Sequence, residues 1–240
     1  MIYAILTVLF TASFVISPAF TTFTGFESNQ LPIPQIDPPI QPAGYAFSIW
    51  GLIYAWLVVS AVFGVWKRSD DPAWDKARPY LIASLVIGTP WLFVATQSAI
   101  LATVMIIAMA VTAIIALLRA PALDQWWFRV PVGIYAGWLT AASFVSIGST
   151  MAGYGVVFGS LGWAYIGIIG ALVVGLTVYS QRPALEYLLT IVWALVGIIV
   201  ANQGGEQTVL WLAQGGIAAL VIVMIWSGLS ARSSQASPYA

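Results

Sequence analysis

The chain has 240 residues, 61% of them apolar and only 7% charged, with a mean hydropathy of +0.95. A soluble domain carries roughly a quarter charged residues, so this composition belongs in hydrocarbon. Eight Lys and Arg against eight Asp and Glu leave no basic surface for nucleic acid, and the absence of Cys and His removes disulfides, thiolate or imidazole metal ligands, histidine ligation of haem and the commonest general base.

A span takes about 20 residues to cross about 30 Å of hydrocarbon, so eight spans use about 160 positions and leave no room for a separate soluble domain. A charge at the bilayer centre costs at least about 2.5 kcal/mol, so charged residues mark the connectors. The apolar runs between the charge clusters predict spans near 2–21, 43–66, 79–97, 99–118, 130–149, 161–180, 186–202 and 208–230. The first is expected to be retained. A cleaved signal peptide is the alternative, with Ser17 and Ala19 at cleavage-like spacing, but no basic residue precedes the run and it is long for such a segment.

The connector from Thr22 to Ala43 holds Pro32, Pro34, Pro38, Pro39 and Pro42 and no basic residue, which predicts extended backbone and excludes helix. It reads either as a stiff spacer or as a lid, with Pro38, Pro39 and Pro42, over the outer mouth of a cavity. In the second span Phe47, Trp50 and Tyr54 share one helical face, while Tyr45, Trp56 and Phe63 gather on the other. One face is expected to meet lipid or interface and the other neighbouring helices; such a stripe reads as packing or as a ligand wall.

From Pro79 to Leu118 the chain is one apolar run, about 60 Å long as a single helix and twice the hydrocarbon thickness. It must turn back once, at Gln97 and Ser98, with Pro90 bending the first leg. Trp91 follows that proline and is a further indole that can face inward. The fifth span sets Tyr135, Trp138, Ala142 and Ser146 on one face, where small residues admit a helix or a flat ligand. Gly155, Gly159, Gly162, Gly167 and Gly170 suit the sixth span to close helix contact. Trp66, Trp74, Trp126, Trp127, Trp211 and Trp226 fall at span ends or in connectors, as an aromatic belt. Among the amides Gln97, Asn202 and Gln203 sit at span ends, and Gln214 lies deeper, where a bond across helices is expected.

All eight basic residues fall at 67–78, 119–129, 181–185 and 231–240, the connectors on one side of an eight-span chain. The positive-inside rule then places both termini in the cytoplasm, leaving Glu27, Asp37 and Glu206 outside. No span carries a central charge, so a proton relay, voltage sensor or charge-coupled transporter lacks its parts. Lys67 and Lys76, the only lysines, share a connector, so a retinal Schiff base within a helix is excluded.

The run from Pro42 to Tyr54, PAGYAFSIWGLIY, entered from a Pro-rich connector, resembles the second-helix signature of the tryptophan-rich sensory protein family (TspO, the translocator or peripheral benzodiazepine receptor family). Pro90, Trp91, Leu92 and Phe93 look like that family's third helix, and Gly137 to Ala142 like its fifth; Ser146 stands where the family has Asn. The resemblance covers residues 1–149. It implies an all-α integral membrane bundle of about eight helices, five of the family type over 1–149, three more over 150–230, and a short cytoplasmic tail at 231–240. It further implies binding of flat apolar molecules, porphyrins and sterols, in a pocket under the first loop, with links to tetrapyrrole regulation, stress responses and light-dependent porphyrin breakdown.

The expectation is therefore a membrane sensor or binding protein of the bacterial inner membrane. Phe47, Trp50, Tyr54, Trp91, Tyr135, Trp138 and Ala142 would line the pocket by stacking and apolar contact. No catalytic residues, metal or required cofactor are expected. With no His or Cys, the guest would be a metal-free porphyrin or a sterol-like lipid. Membrane lipids, a small apolar ligand and a second copy of the chain in a homodimer are the candidate partners. A transporter of small uncharged solutes and a light-dependent porphyrin-degrading enzyme are the alternatives.

Overall fold

The computed structural model describes residues 1–21, 25–26 and 29–235. Residues 22–24 and 27–28 of the first connector, Glu27 among them, and the tail at 236–240 lie outside the described residues. All eight apolar runs are helical, with no strand among the described residues. The elements are α1 (Ile2–Ile16), α2 (Ile49–Arg68), α3 (Pro72–Asp75), α4 (Arg78–Gly88), α5 (Trp91–Ala95), α6 (Ala99–Leu118), α7 (Val130–Gly153), α8 (Ser160–Gln181), α9 (Leu185–Ala201) and α10 (Gln207–Gln235). Short 3-10 turns extend α1 over Ser17–Ala19 and precede α2 over Gly44–Ser48, and a π-helical turn, Gln125–Arg129, leads into α7.

Six of these stretches are long and apolar enough to cross a membrane: Ile2–Ala19, Gly44–Arg68, Ala99–Leu118, Gln125–Gly153, Ser160–Gln181 and Gln207–Ser230. The other two runs give the shorter apolar helices α4 and α9. Pro90 is why the third run is broken: α4 stops at Gly88, and α5 resumes beyond the proline. The chain then reverses at Gln97, and the Ser98 side chain accepts from the Leu101 N–H at 3.3 Å to cap α6.

Helix α7 is the axis of the bundle, packed against α2 and α6 on one side and α8 and α9 on the other. Its composition explains that place. A Cβ on Gly137 would lie 2.6 Å from the Tyr187 carbonyl oxygen, so α9 approaches to backbone contact only because no side chain intervenes. The hydroxyls of α7 turn inward to partners: Thr140 shares a 2.8 Å hydrogen bond with Tyr187, Ser143 donates to the Ile106 carbonyl at 3.2 Å, and Thr150 shares a 2.8 Å bond with Thr103. Hydrocarbon offers them no alternative partner. Helix α1 packs on α2 and α4, and α10 on α8 and α9.

The Pro-rich connector is non-helical, as its composition requires, but it is not uniformly extended: Asp37 sits at positive φ, and Gln41 N donates to the Pro38 carbonyl at 2.8 Å to close a turn. Nor does the segment stay at the surface. Asn202 Nδ2 donates to the Pro39 carbonyl at 2.9 Å, Ala43 N donates to the Gly197 carbonyl at 3.0 Å, and Trp193 Nε1 donates to the Ala46 carbonyl at 2.9 Å. From residue 202 to 193 the segment thus descends about 13 Å along α9. Non-helical backbone at that depth survives where protein buries it and satisfies its polar groups. Ile40 is buried against Gly148 and Gly167, Leu31 packs on Gly153, and Gln30 Nε2 bonds the Ala95 carbonyl at 2.8 Å. The connector is therefore held by α5, α7, α8 and α9 together.

The basic residues collect at one end of the bundle. Arg68 makes a two-pronged bond to Asp124 at 2.6 and 3.1 Å, and Trp74 Nε1 donates to the same carboxylate at 3.2 Å. Arg78, buried at the start of α4, is held by Asp75 at 2.6 Å and by the Gly64 and Arg68 carbonyls at 2.9 Å. Two sequence expectations are corrected. Trp74 is not a belt residue: it is buried against Phe63 and Phe128. Gln214 does not bond across helices: it is exposed on α10 and has no hydrogen bond among the described residues. Trp66, Trp126, Trp211 and Trp226 are exposed, as a belt requires.

Candidate functional site

A cavity of about 480 Å³ lies toward the non-basic end, enclosed by α1, α2, α4 to α7 and the end of the connector. Its position follows from three local features of the sequence. The 3-10 turn and α2 carry Phe47, Trp50 and Tyr54 on one side, with Trp50 and Tyr54 stacked at 5.3 Å and 24°. The break at Pro90 gives α5 its own direction, and Trp91 is pinned there by donating its Nε1 to the Ala102 carbonyl at 2.8 Å. Helix α7 supplies Trp138, edge-on to Phe47 at 5.6 Å and to Trp50 at 6.3 Å, with Leu139 and Ala142 beside it.

Thr21, Gln41 and Gly44 close the connector side, Gly88 and Leu92 the third span, and Ile106 and Met109 the face of α6. Gly88 is glycine for a reason of space: a Cβ there would fall 2.7 Å from the Phe14 ring and 2.8 Å from the Met109 methyl. A smaller lobe of about 70 Å³ shares Gln41, Phe47, Trp91, Ile106, Trp138 and Ala142 and continues to Pro42, Val145 and Ser146. The main volume is within the range of ligand pockets, about 300–1,000 Å³.

Among the described residues no charged side chain lines either lobe. The indole N–H groups of Trp50 and Trp138, the Tyr54 hydroxyl and the Gln41 side-chain amide have no hydrogen-bond partner among the described residues. The arrangement therefore offers flat apolar walls and a few neutral donors. It has no acid or base pair, and among the described residues no cluster of His, Cys, Asp or Glu could hold a metal.

Six of the seven side chains expected at the pocket line it: Phe47, Trp50, Tyr54, Trp91, Trp138 and Ala142. Tyr135 does not. It is fully buried behind Phe14, 5.7 Å from that ring, with its hydroxyl 2.9 Å from that of Ser84, so it supports the wall instead of forming it. Of the lid prolines, Pro42 reaches the smaller lobe, whereas Pro38 and Pro39 line a separate surface groove with Val157 and Phe158. The connector residue that touches both lobes is Gln41. Phe14, Ile106 and Met109 also line the cavity, and the sequence does not mark them because their apolar types differ in nothing from lipid-facing neighbours. Gly88, two residues before a proline inside a span, was the one available signal.

A family model described as TSPO-like protein matches residues 1–226. The match runs beyond the motifs that carry the resemblance and takes in α8, α9 and most of α10. No curated protein and no solved structure matches the chain.

Proposed function

The chain belongs to the TSPO-like protein family, and from that membership together with the cavity we propose that it is a membrane sensor that binds a flat, rigid, apolar ligand of the porphyrin class. The observation that carries this reading is the convergence of three indoles, Trp50, Trp91 and Trp138, on one cavity with no charged lining residue among those described. Aromatic walls favour a planar π-system by burial and by ring contacts worth about 0.5–1.5 kcal/mol each beyond area. The free donors of Trp50, Trp138 and Gln41 suit the carboxylates or carbonyls at the rim of such a ligand. A chain without His or Cys favours a guest whose nitrogens carry no iron.

The proposal places the protein in a bacterial inner membrane; the positive-inside rule supports a cytoplasmic basic end, with the connector and the cavity mouth outside. The test is titration of the purified protein with protoporphyrin in detergent, following tryptophan emission. Saturable quenching is expected, with affinity reduced by about tenfold or more in Trp138→Ala. Quenching that does not saturate, or a Trp138→Ala curve that overlays the wild type, would remove the reading.

A further inference from the structure

The face of α2 turned away from the cavity borders a second space. Helices α2 and α9 both pack on α7 yet stand apart, leaving a groove of about 630 Å³. Its walls are Ile49, Leu52 and Trp56 from α2 and Leu189 and Trp193 from α9, with Ile134 of α7 as floor. The charged residues that line the groove are at one end, the basic end of the bundle. There Arg129 Nε donates to Glu186 Oε1 at 2.9 Å, with both side chains largely buried.

Two features distinguish this from a seam that any acyl chain would fill. A guanidinium carries five N–H donors, and Arg129 uses only Nε; its terminal nitrogens have no acceptor among the described residues. The charge is also unbalanced. Arg182 lies near the pair, where burial and then the positive charge of Arg129 lower its pKa, with Glu186 opposing them. Arg182 does not enter the groove, since its terminal nitrogens donate to the Leu118 and Pro121 carbonyls at 3.3 and 3.4 Å. Its charge adds to that of Arg129 at this end, and one anionic group would both balance it and accept the unused Arg129 donors. Beside them Trp126 is exposed and stacks on Trp56 at 6.1 Å and 8°, an indole platform along the groove wall.

We infer that this groove holds one anionic phospholipid from the leaflet on the basic side, its phosphate on the terminal nitrogens of Arg129 and an acyl chain between α2 and α9. From Glu186 to Trp193 the walled length is about 10 Å, roughly a third of the hydrocarbon thickness, which suits the upper part of a chain. Basic pockets between spans on one membrane face are the kind of site that retains anionic headgroups. The site is separated from the cavity by α2, so it does not depend on what the cavity binds.

The experiment is native mass spectrometry of the full chain in micelles doped with phosphatidylglycerol or phosphatidylcholine, on the wild type, Arg129→Gln and Leu189→Trp. The second variant fills the groove and leaves the ion pair in place, so the test survives if the first misfolds. The wild type is expected to retain one phosphatidylglycerol at least about fivefold better than phosphatidylcholine, an extent typical of one charged hydrogen-bonded contact. Each variant is expected to lose that retention, while protoporphyrin binding, followed by absorption, is unchanged. Equal retention of the two lipids, full retention in Leu189→Trp, or a second copy of the chain as the bound mass would each overturn the inference.

Discussion

The two faces of α2 are built from the same residue types and border spaces of comparable size, yet they differ in enclosure and charge. Phe47, Trp50 and Tyr54 face a cavity walled by five other helices and the connector, with no ionised group in its lining among the described residues. Ile49, Leu52 and Trp56 face a groove that ends on Arg129 and Glu186. Aromatic content alone therefore does not tell a ligand wall from a lipid seam. What separates them is what lies opposite: Trp138 and Trp91 on one side, an ion pair with spare donors on the other. Besides α2 itself the two spaces share α7, which contributes Trp138 to the cavity and Ile134 to the groove.

The largest effect is expected where that shared element is disturbed. Gly137→Ala would place a methyl 2.6 Å from the Tyr187 carbonyl oxygen and 2.9 Å from Thr190 Cβ. Backbone cannot turn aside as a side chain can, so α7 and α9 must separate, at a cost of about 1–3 kcal/mol. Thermal unfolding followed by circular dichroism should show a lower midpoint, and both protoporphyrin affinity and lipid retention should fall. If only one of the two falls, α7 does not couple the two spaces as described.

The sequence carried the bundle and part of the site for identifiable reasons. The turn at Gln97 and Ser98 was legible because an apolar run of that length has to reverse, and Ser98 is a capping residue in the right place. The cavity face of α2 was legible because helical period fixes which rings share a side. Period does not fix depth or what stands opposite, which is why it groups Tyr135 with Trp138 although, one turn further toward the basic end, Phe14 of α1 already fills the space. The descent of the connector along α9 was not legible at all. Non-helical chain of this kind has no period to read, and its anchors, Gly197 and Asn202, lie some 150 residues away in a helix where they look like ordinary packing and end residues.

Those anchors give the next effect in size. Asn202→Ala removes the bond to the Pro39 carbonyl and a second one to Ile198, at 2.9 and 2.8 Å, and loosens one end of the segment that carries Gln41 and Pro42 to the cavity. A hydrogen bond of this kind contributes about 1 kcal/mol net. Protoporphyrin affinity is expected to fall several-fold and limited proteolysis of the connector to speed up. Lipid retention should not change, because the groove lies across α2. A loss of retention equal to the loss of porphyrin affinity would mean that the two faces of α2 are not independent.

The smallest effect belongs to Asp124, the residue at positive φ from which the π-helical turn starts and so the residue that aims Trp126 and Arg129 at the groove. Its hydrogen bonds from Arg68 first, and from Trp74, outweigh burial and hold its pKa below the usual carboxylate value. A carboxylate depressed in the folded state contributes stability at every pH above its unfolded value of about 3.9, and that contribution is lost as the pH falls through the depressed value. It is therefore fully present at neutral pH and disappears only in strong acid. Asp124→Asn should lower the unfolding midpoint at pH 7 by less than Gly137→Ala does and flatten the acid limb of the stability curve. It should weaken phosphatidylglycerol retention and leave porphyrin binding at pH 7 intact, since no cavity wall rests on this turn. A midpoint that keeps its full acid dependence in Asp124→Asn would show that other carboxylates, and not the Arg68 partner, set it.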